Sequence, residues 1–284
     1  MALATPAAIL GVPYDASSSF RRGPARAPAT IREAVWSPAG NSWTEALIDI
    51  SDESVLVDAG DIAIDAADPR GSIQAGVERI RATGVRPILL GGDHSITYPI
   101  VRGVRLTAGP ITIVHVDAHT DLYDEFEGDR FSHACPFARI MEEGLASRLV
   151  QIGIRTLTKH QREQADRFGV EIIDMRAWSR GARPHISADE TVYLSIDLDG
   201  LDPAFAPGVS HPEPGGLSVR DVLSLIQGLE APMTAADIVE CNPDVDPSGV
   251  TSQVAAKFLK EIAAAMRCVP EVPRVHPEPG TVTA

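Results

Sequence analysis

Three metal-binding side chains occupy alternate positions in Asp117-Ala118-His119-Thr120-Asp121, directly after the apolar run Ile111-Thr112-Ile113-Val114-His115-Val116. The run is rich in β-branched residues and reads as a buried strand. Side chains alternate across a strand, so an extended continuation would send Asp117, His119 and Asp121 to one side. Carboxylates and an imidazole crowded there would repel and desolvate without a cation. Taken alone, the triplet could equally be three solvated polar residues in a loop. Other predicted strand ends carry the same chemistry, however. Residues 86–90 read as a strand that stops at Gly91-Gly92-Asp93-His94. Residues 191–196 run into Asp197-Leu198-Asp199, and residues 235–239 end at Glu240. In open parallel sheets ligands bind beyond the carboxyl ends of the strands, so all these ends would meet at one site.

His94, Asp117, His119, Asp121, Asp197 and Asp199 together offer two imidazoles and four carboxylates. That is too many for one tetrahedral zinc. It suits two adjacent divalent ions bridged by carboxylates, about 3.5–4 Å apart in typical two-metal sites. Nitrogen and oxygen donors without thiolate favour manganese over zinc, although nickel, cobalt or zinc could occupy similar ligands. Each residue singly is better explained as a helix cap or salt-bridge partner; all six together at strand ends are not.

The elements that must position these residues alternate between short apolar runs and amphipathic stretches. Strands are expected at residues 7–12, 55–58, 86–90, 111–116, 149–153, 170–173, 191–196 and 235–239. Helices are expected at 29–35, 71–83, from a Ser95 cap to about 106, 136–144, 158–168, 218–229 and 251–266. Ser218 with Asp221 forms a capping box. Such alternation predicts an α/β fold, three layers α/β/α around a mostly parallel sheet. No composition break marks a boundary, so residues 1–284 are expected to form a single domain, with a Pro-rich tail over residues 269–284. His-Pro-Glu-Pro-Gly occurs at both 211–215 and 276–280, as chance allows in a Pro-rich chain.

Composition narrows the partners. The chain has 284 residues, 44% of them hydrophobic, enough for a sizeable core. A formal net charge of −14 argues against nucleic acid or an anionic membrane surface and is compatible with a small cationic substrate. The three cysteines, Cys135, Cys241 and Cys268, make no Cys-x-x-Cys pair and no even disulfide set. A reducing cytoplasm is therefore expected. The apolar N-terminus lacks a basic region and reads as a first strand rather than a signal peptide. No apolar run approaches membrane-spanning length.

Gly91-Gly92-Asp93-His94-Ser95, Asp117-Ala118-His119-Thr120-Asp121 and Ser195-Ile196-Asp197-Leu198-Asp199-Gly200-Leu201-Asp202-Pro203-Ala204 together resemble the signature motifs of the ureohydrolases, the arginase/agmatinase family. Arg22-Gly23-Pro24, residues 207–216 and Asp237-Ile238-Val239-Glu240-Cys241-Asn242-Pro243 extend the likeness to about residue 266. Residues 123–128 and 132–141 look most like the plant-type arginases of the agmatinase-like branch. The resemblance implies the three-layer fold and a centre of two Mn2+ ions. By it, His94, Asp117, Asp121 and Asp197 would hold one ion and Asp117, His119, Asp197 and Asp199 the other. The ions would lower the pKa of a shared water, giving a nucleophile near neutral pH for attack on the guanidinium carbon. Asp121 would also orient that nucleophile, Glu240 would anchor the guanidinium, and His133 would shuttle protons to the leaving amine. Cys135 and Cys241 are read as packing residues. A homotrimer or homohexamer is expected.

The substrate is expected to be a small cationic guanidino compound. The Asn- and Ser/Thr-rich loop of animal-type arginases is absent. In its place stands Tyr123-Asp124-Glu125-Phe126-Glu127-Gly128-Asp129, whose carboxylates should favour a distal ammonium. Thr120 stands for the Pro of plant-type arginases, and Asp129 for an Asn. These features point to agmatine, giving putrescine. The alternatives are a plant-type arginase making ornithine and urea, a hydrolase of another guanidino compound, or a non-catalytic metal-binding member. A two-metal phosphoesterase would need basic surroundings, and the motif loops are acidic.

Overall fold

The computed structural model describes residues 5–268. The expected tail and the second His-Pro-Glu-Pro-Gly lie outside these residues. Eight strands form one sheet, every pairing in it parallel: β1 (Ala7–Val12), β2 (Leu56–Asp61), β3 (Arg86–Gly91), β4 (Thr112–Val116), β5 (Arg148–Ile152), β6 (Glu171–Ile173), β7 (Val192–Asp197) and β8 (Met233–Val239). Their order is β2-β1-β3-β8-β7-β4-β5-β6. The helices are α1 (Ala27–Val35), α2 (Pro69–Arg81), α3 (Thr97–Ala108), α4 (Pro136–Glu142), α5 (Lys159–Phe168), α6 (Met175–Trp178), α7 (Val219–Gln227) and α8 (Val250–Cys268).

Both faces of the sheet are covered. The central strands β3, β4, β7 and β8 are buried at every position, as continuous apolar runs in parallel sheets must be. On one face Ile31, Val222, Ile226, Phe258 and Leu259 of α1, α7 and α8 pack against Ile88, Val114, Leu194 and Ile238. On the other, Ile73, Val101, Val104, Phe137 and Ile140 of α2, α3 and α4 pack against Leu89, Ile113 and Tyr193. This is the expected three-layer α/β/α arrangement. Among the described residues no helix is long and apolar enough to cross a membrane.

Register places the chemistry. Leu90 pairs with Ile238, Ile238 with Ile196, and Ile196 with Val116, one row across β3, β8, β7 and β4. Beyond this row the four central strands deliver His94, Glu240, Asp197 with Asp199, and Asp117. The loop after β3 is tied to both neighbours: the Asp93 N–H donates to the Tyr14 carbonyl at 2.9 Å and the Glu240 N–H to the Gly92 carbonyl at 3.0 Å.

Local details differ from expectation. Asp93, not Ser95, caps the turn after β3: its Oδ1 accepts the Ser95 N–H at 3.1 Å, and Ser95 lies inside a 3-10 turn, His94–Ile96. α3 then starts at Thr97 without a side-chain cap. α1 begins two residues earlier than expected, with Pro28 in its first turn, where the missing N–H costs no helical bond. The short α6 was not expected; Asp174 caps it by accepting the Ala177 N–H. The Ser218–Asp221 capping box is present.

Gly92 is where the loop approaches β1 most closely. A Cβ there would lie 2.0 Å from the Tyr14 carbonyl oxygen, a backbone atom that cannot rotate away. Gly92→Ala should therefore destabilise the protein by about 1–3 kcal/mol, the usual range for overpacking, measured as a lower denaturation midpoint in urea at unchanged slope.

Candidate metal centre

His94 Nδ1 lies 3.2 Å from Asp117 Oδ2, 3.0 Å from Asp121 Oδ2 and 3.1 Å from Asp197 Oδ2. His119 Nδ1 lies 3.3 Å from Asp117 Oδ1 and 3.1 Å from Asp199 Oδ2. The six residues expected as ligands thus form two adjoining groups. Asp117 spans both, one oxygen in each. Asp197 joins the first group through Oδ2, while its Oδ1 accepts the Asp199 N–H at 2.8 Å. All six are buried except His119, which is 26% exposed at its side chain and lines a cavity.

Convergence does not come from an extended Asp-x-His-x-Asp. The strand ends at Val116, the chain bends, and Asp121 takes a left-handed conformation at φ 48°. Glu240 does the same after β8, at φ 62°. Non-glycine residues held there are strained and need support from their surroundings.

The orientation of His94 tests whether the group fits a cation. Ser195 Oγ donates to Asp237 Oδ1 at 2.6 Å, so it accepts from His94 Nε2 at 3.0 Å. Nδ1 is therefore the lone-pair nitrogen, an assignment made from the network. It has no hydrogen-bond partner and faces three carboxylate oxygens. A lone pair opposed to three anions is repulsive unless a proton or a metal ion lies between them, and a proton can bond well to only one. The donor set fits a metal ion. Without one, burial opposes charge on His94 but the three carboxylates outweigh it and raise its pKa. Burial, reinforced by neighbouring carboxylates, raises Asp197 and lifts Asp199 to about 7.

Several residues in this shell were not anticipated as functional. Asp237 accepts from Ser195, from Thr97 Oγ1 at 2.7 Å and from Tyr193 at 2.5 Å. His115 accepts at Nδ1 from Gln151 (3.0 Å) and so donates through Nε2 to Asp117 Oδ2 at 2.8 Å. Both its nitrogens are engaged, which makes it a positioning residue rather than a ligand. Arg155 reaches the carbonyls of Asp199, Gly200, Leu201 and Glu213 at 2.6–3.1 Å and clamps the loop that carries Asp199.

His133 and Glu240 are together. His133 Nδ1 lies 3.3 Å from Glu240 Oε1, and His133 Nε2 is 2.8 Å from Ser19 Oγ. Oε1 also accepts the His94 N–H at 2.9 Å; Oε2 is buried without a partner. Burial lowers the His133 pKa, but Glu240 outweighs it and holds the imidazole up at about 9. His133 lines the cavity and Glu240 adjoins it through Oε1. Burial pushes the thiols of Cys135 and Cys241 up to about 12, consistent with packing roles.

The cavity has a volume of about 460 Å3 and ends on His119, Asp121 and Asp197. The loop carboxylates expected to attract an ammonium do not line it. Asp124 is paired with Arg130 at 2.9 Å and Arg139 at 3.0 Å, and Asp129 Oδ1 accepts the Phe131 N–H at 2.8 Å. That loop contributes Tyr123 and Phe126 to the wall instead.

The model of the arginase family matches residues 5–265. The chain is 48% identical over 274 residues to arginase 1, mitochondrial, of Oryza sativa subsp. indica, covering 91% of this chain and 81% of that protein. It is 37% identical over 272 residues to agmatinase, mitochondrial, of Gallus gallus, covering 90% and 79%. The solved arginase of Medicago truncatula superposes with a TM-score of 0.88 at 45% identity, covering 94% of this chain and 89% of that one. The expected cytoplasmic location is overturned by these relatives, which are named as mitochondrial. Cysteine usage separates reducing from oxidising surroundings and does not distinguish one reducing compartment from another.

Two outcomes follow from the geometry. Adding Mn2+ to chelator-treated protein should raise Tm, because an ion that binds only the folded state stabilises it by mass action; Asp117→Asn should largely abolish that rise in differential scanning calorimetry. In the metal-free protein, the raised pKa of His133 means its ion pair with Glu240 stabilises fully below the unfolded pKa of about 6.5 and fades as pH rises through about 9. The urea midpoint should fall over that window, and His133→Asn should flatten the fall.

Proposed function

Because the chain belongs to the arginase family, we propose that it is a two-metal enzyme releasing urea from L-arginine. It is a hydrolase acting on carbon–nitrogen bonds of linear amidines. The observation that carries the two-metal reading is the pair of donor groups sharing Asp117. In this reading His94, Asp117, Asp121 and Asp197 hold one ion, and Asp117, His119, Asp197 and Asp199 the other. We assign manganese, because the donors are carboxylate and imidazole without thiolate. When bound, two such ions supply the Lewis acidity that activates a water near neutral pH.

The chain's own residues do the rest. Asp121, fixed at positive φ, aims its carboxylate into the cavity to orient the attacking group. Glu240 Oε2, buried and unpaired, accepts a guanidinium N–H. His133 keeps Nδ1 on Glu240 and turns Nε2 from Ser19 Oγ to the leaving amine to deliver a proton. Tyr123, Phe126 and Leu157 flank the alkyl chain and exclude water. A trimeric or hexameric assembly belongs to the same proposal.

Arginine replaces agmatine as the favoured substrate for two reasons. Identity is 48% to the Oryza arginase and 37% to the Gallus agmatinase. The acidic loop side chains that favoured an ammonium are not in the cavity wall. Urea release by manganese-loaded protein should give the highest kcat/KM with arginine among arginine, agmatine and 4-guanidinobutyrate. Agmatine turnover equal to or above that of arginine would sink the assignment. Asp121→Ala should lower kcat by more than about 100-fold, beyond what outer-shell changes typically cost.

A further inference from the structure

Asp93 is a fully buried carboxylate that belongs to neither donor group. Both its oxygens are taken. Oδ1 accepts the Ser95 N–H at 3.1 Å and the Ser95 hydroxyl at 2.5 Å. Oδ2 accepts the Ser17 N–H at 2.9 Å and, more weakly, the Ser18 hydroxyl at 3.4 Å. One oxygen caps the turn after β3, and the other reaches the loop after β1. Capping needs a single acceptor oxygen, which a serine or asparagine supplies without a buried charge. The second oxygen therefore serves something other than the cap.

What it holds is the segment that holds His133. The Ser17 carbonyl accepts the His133 N–H at 3.3 Å, and Ser19 Oγ lies 2.8 Å from His133 Nε2. Ser17 thus takes Asp93 on its N–H and His133 on its carbonyl. Tyr14 braces the same turn: its carbonyl accepts the Asp93 N–H at 2.9 Å, and its hydroxyl lies 3.2 Å from Ser17 Oγ. His133 itself stands in the long connection between β4 and α4, outside any helix or strand, so bonds from other elements fix its place. His94 is oriented without Asp93, its ring through Ser195 and its N–H through Glu240.

We propose that Asp93 is a positioning residue for proton delivery: through Ser17 it sets where the His133 main chain, and with it the pivot of the imidazole, stands beside the leaving amine. This rests on the ureohydrolase reading of the cavity. A proton donor works only within hydrogen-bond reach of the atom it serves, and a misplacement of about 1 Å can cost on the order of 100-fold in rate. Adjacent residues of one strand end thus serve different parts of the site, His94 the metal and Asp93 the acid.

Asp93→Ala removes both grips at once. On the manganese-loaded protein, kcat for urea release from arginine should fall about 10- to 100-fold, up to what a misplaced donor costs. KM for arginine and the calorimetric affinity for Mn2+ should change less than about threefold. The double variant decides: added to His133→Asn, Asp93→Ala should lower kcat by less than about twofold, because residues acting as one unit are not additive. Asp93→Asn, whose single acceptor oxygen can serve one of the two backbone N–H groups, should show the same pattern at smaller size, and it replaces the alanine variant if that does not fold. An unchanged kcat would overturn the proposal. So would a full multiplicative loss in the double variant, or a loss that tracks weakened Mn2+ binding. The link itself is read by NMR of the metal-free protein. Ring signals assigned to His133 by their absence in His133→Asn should move in Asp93→Ala, and unmoved signals would equally overturn it. Should wild type release no urea while those signals move, the arginase assignment would fall and the link from Asp93 through Ser17 to His133 would stand.

Discussion

Charge crowded into a dry place governs this molecule. Four carboxylates and two imidazoles meet beyond the ends of β3, β7 and β4, and five of these six residues are buried. In surroundings of low polarity the carboxylates cannot all ionise beside one another. The consequence is visible in the direction of their acidities: Asp197 and Asp199 are pushed up by burial, while Asp117, ringed by His94, His115 and His119, is drawn down. Protons would only share the strain out among pairs. A pair of divalent ions would oppose all four negative charges and give the orphaned His94 Nδ1 a partner, so the cluster fits metal better than a salt-bridge network.

Such a cluster holds its shape only if its surroundings over-determine it. Asp237 sits inside β8 and gathers hydroxyls from α3 and β7, and one of these, Ser195, fixes the His94 ring. Gln151 of β5 does the same for His115, and through it for Asp117. Arg155 spends its guanidinium on backbone carbonyls near Asp199. Outer-shell bonds of this kind set ligand orientation and tautomer. They also explain how Glu240 persists at positive φ: its N–H is held by the Gly92 carbonyl and its carboxylate by the His94 N–H, so the local conformational cost is offset by the whole.

The clustering of the six residues was legible in the sequence because their types coincide with the ends of apolar runs, and parallel strands bring such ends together. The same logic foresaw three layers, most strand limits and the Ser218 capping box. The supporting shell was harder to read. Ser195, Thr97 and Tyr193 are ordinary occupants of buried elements, and His115 looks like a break in an apolar run; only its spacing of two from Asp117 hinted at a shared face. Neither was the route of the chain visible: an extended Asp117-x-His119-x-Asp121 and a bent one have the same letters. The acidic loop misled for a related reason. Proximity in sequence to Asp121 says nothing about which way a side chain turns, and Arg130 and Arg139, a few residues on, take Asp124 away from the cavity.

The site divides into two halves with different freedoms. The reacting half is built on β3, β4, β7 and β8, and a shift there would disturb the core. The other half, with Tyr123, Phe126 and Leu157 in the cavity wall, stands on residues beyond Asp121 and after β5, which can change without moving a strand. Discrimination by the far end of a substrate belongs in the second half. The acidity of the chain does not conflict with a substrate that carries a carboxylate. Its net charge of −14 acts at long range on the net charge of the ligand, and arginine is a net cation. Salt screens that field beyond about 8 Å, so within the cavity the groups at hydrogen-bonding distance decide. A chain can thus attract a cation from solution and still choose, among cations, the one that carries a carboxylate.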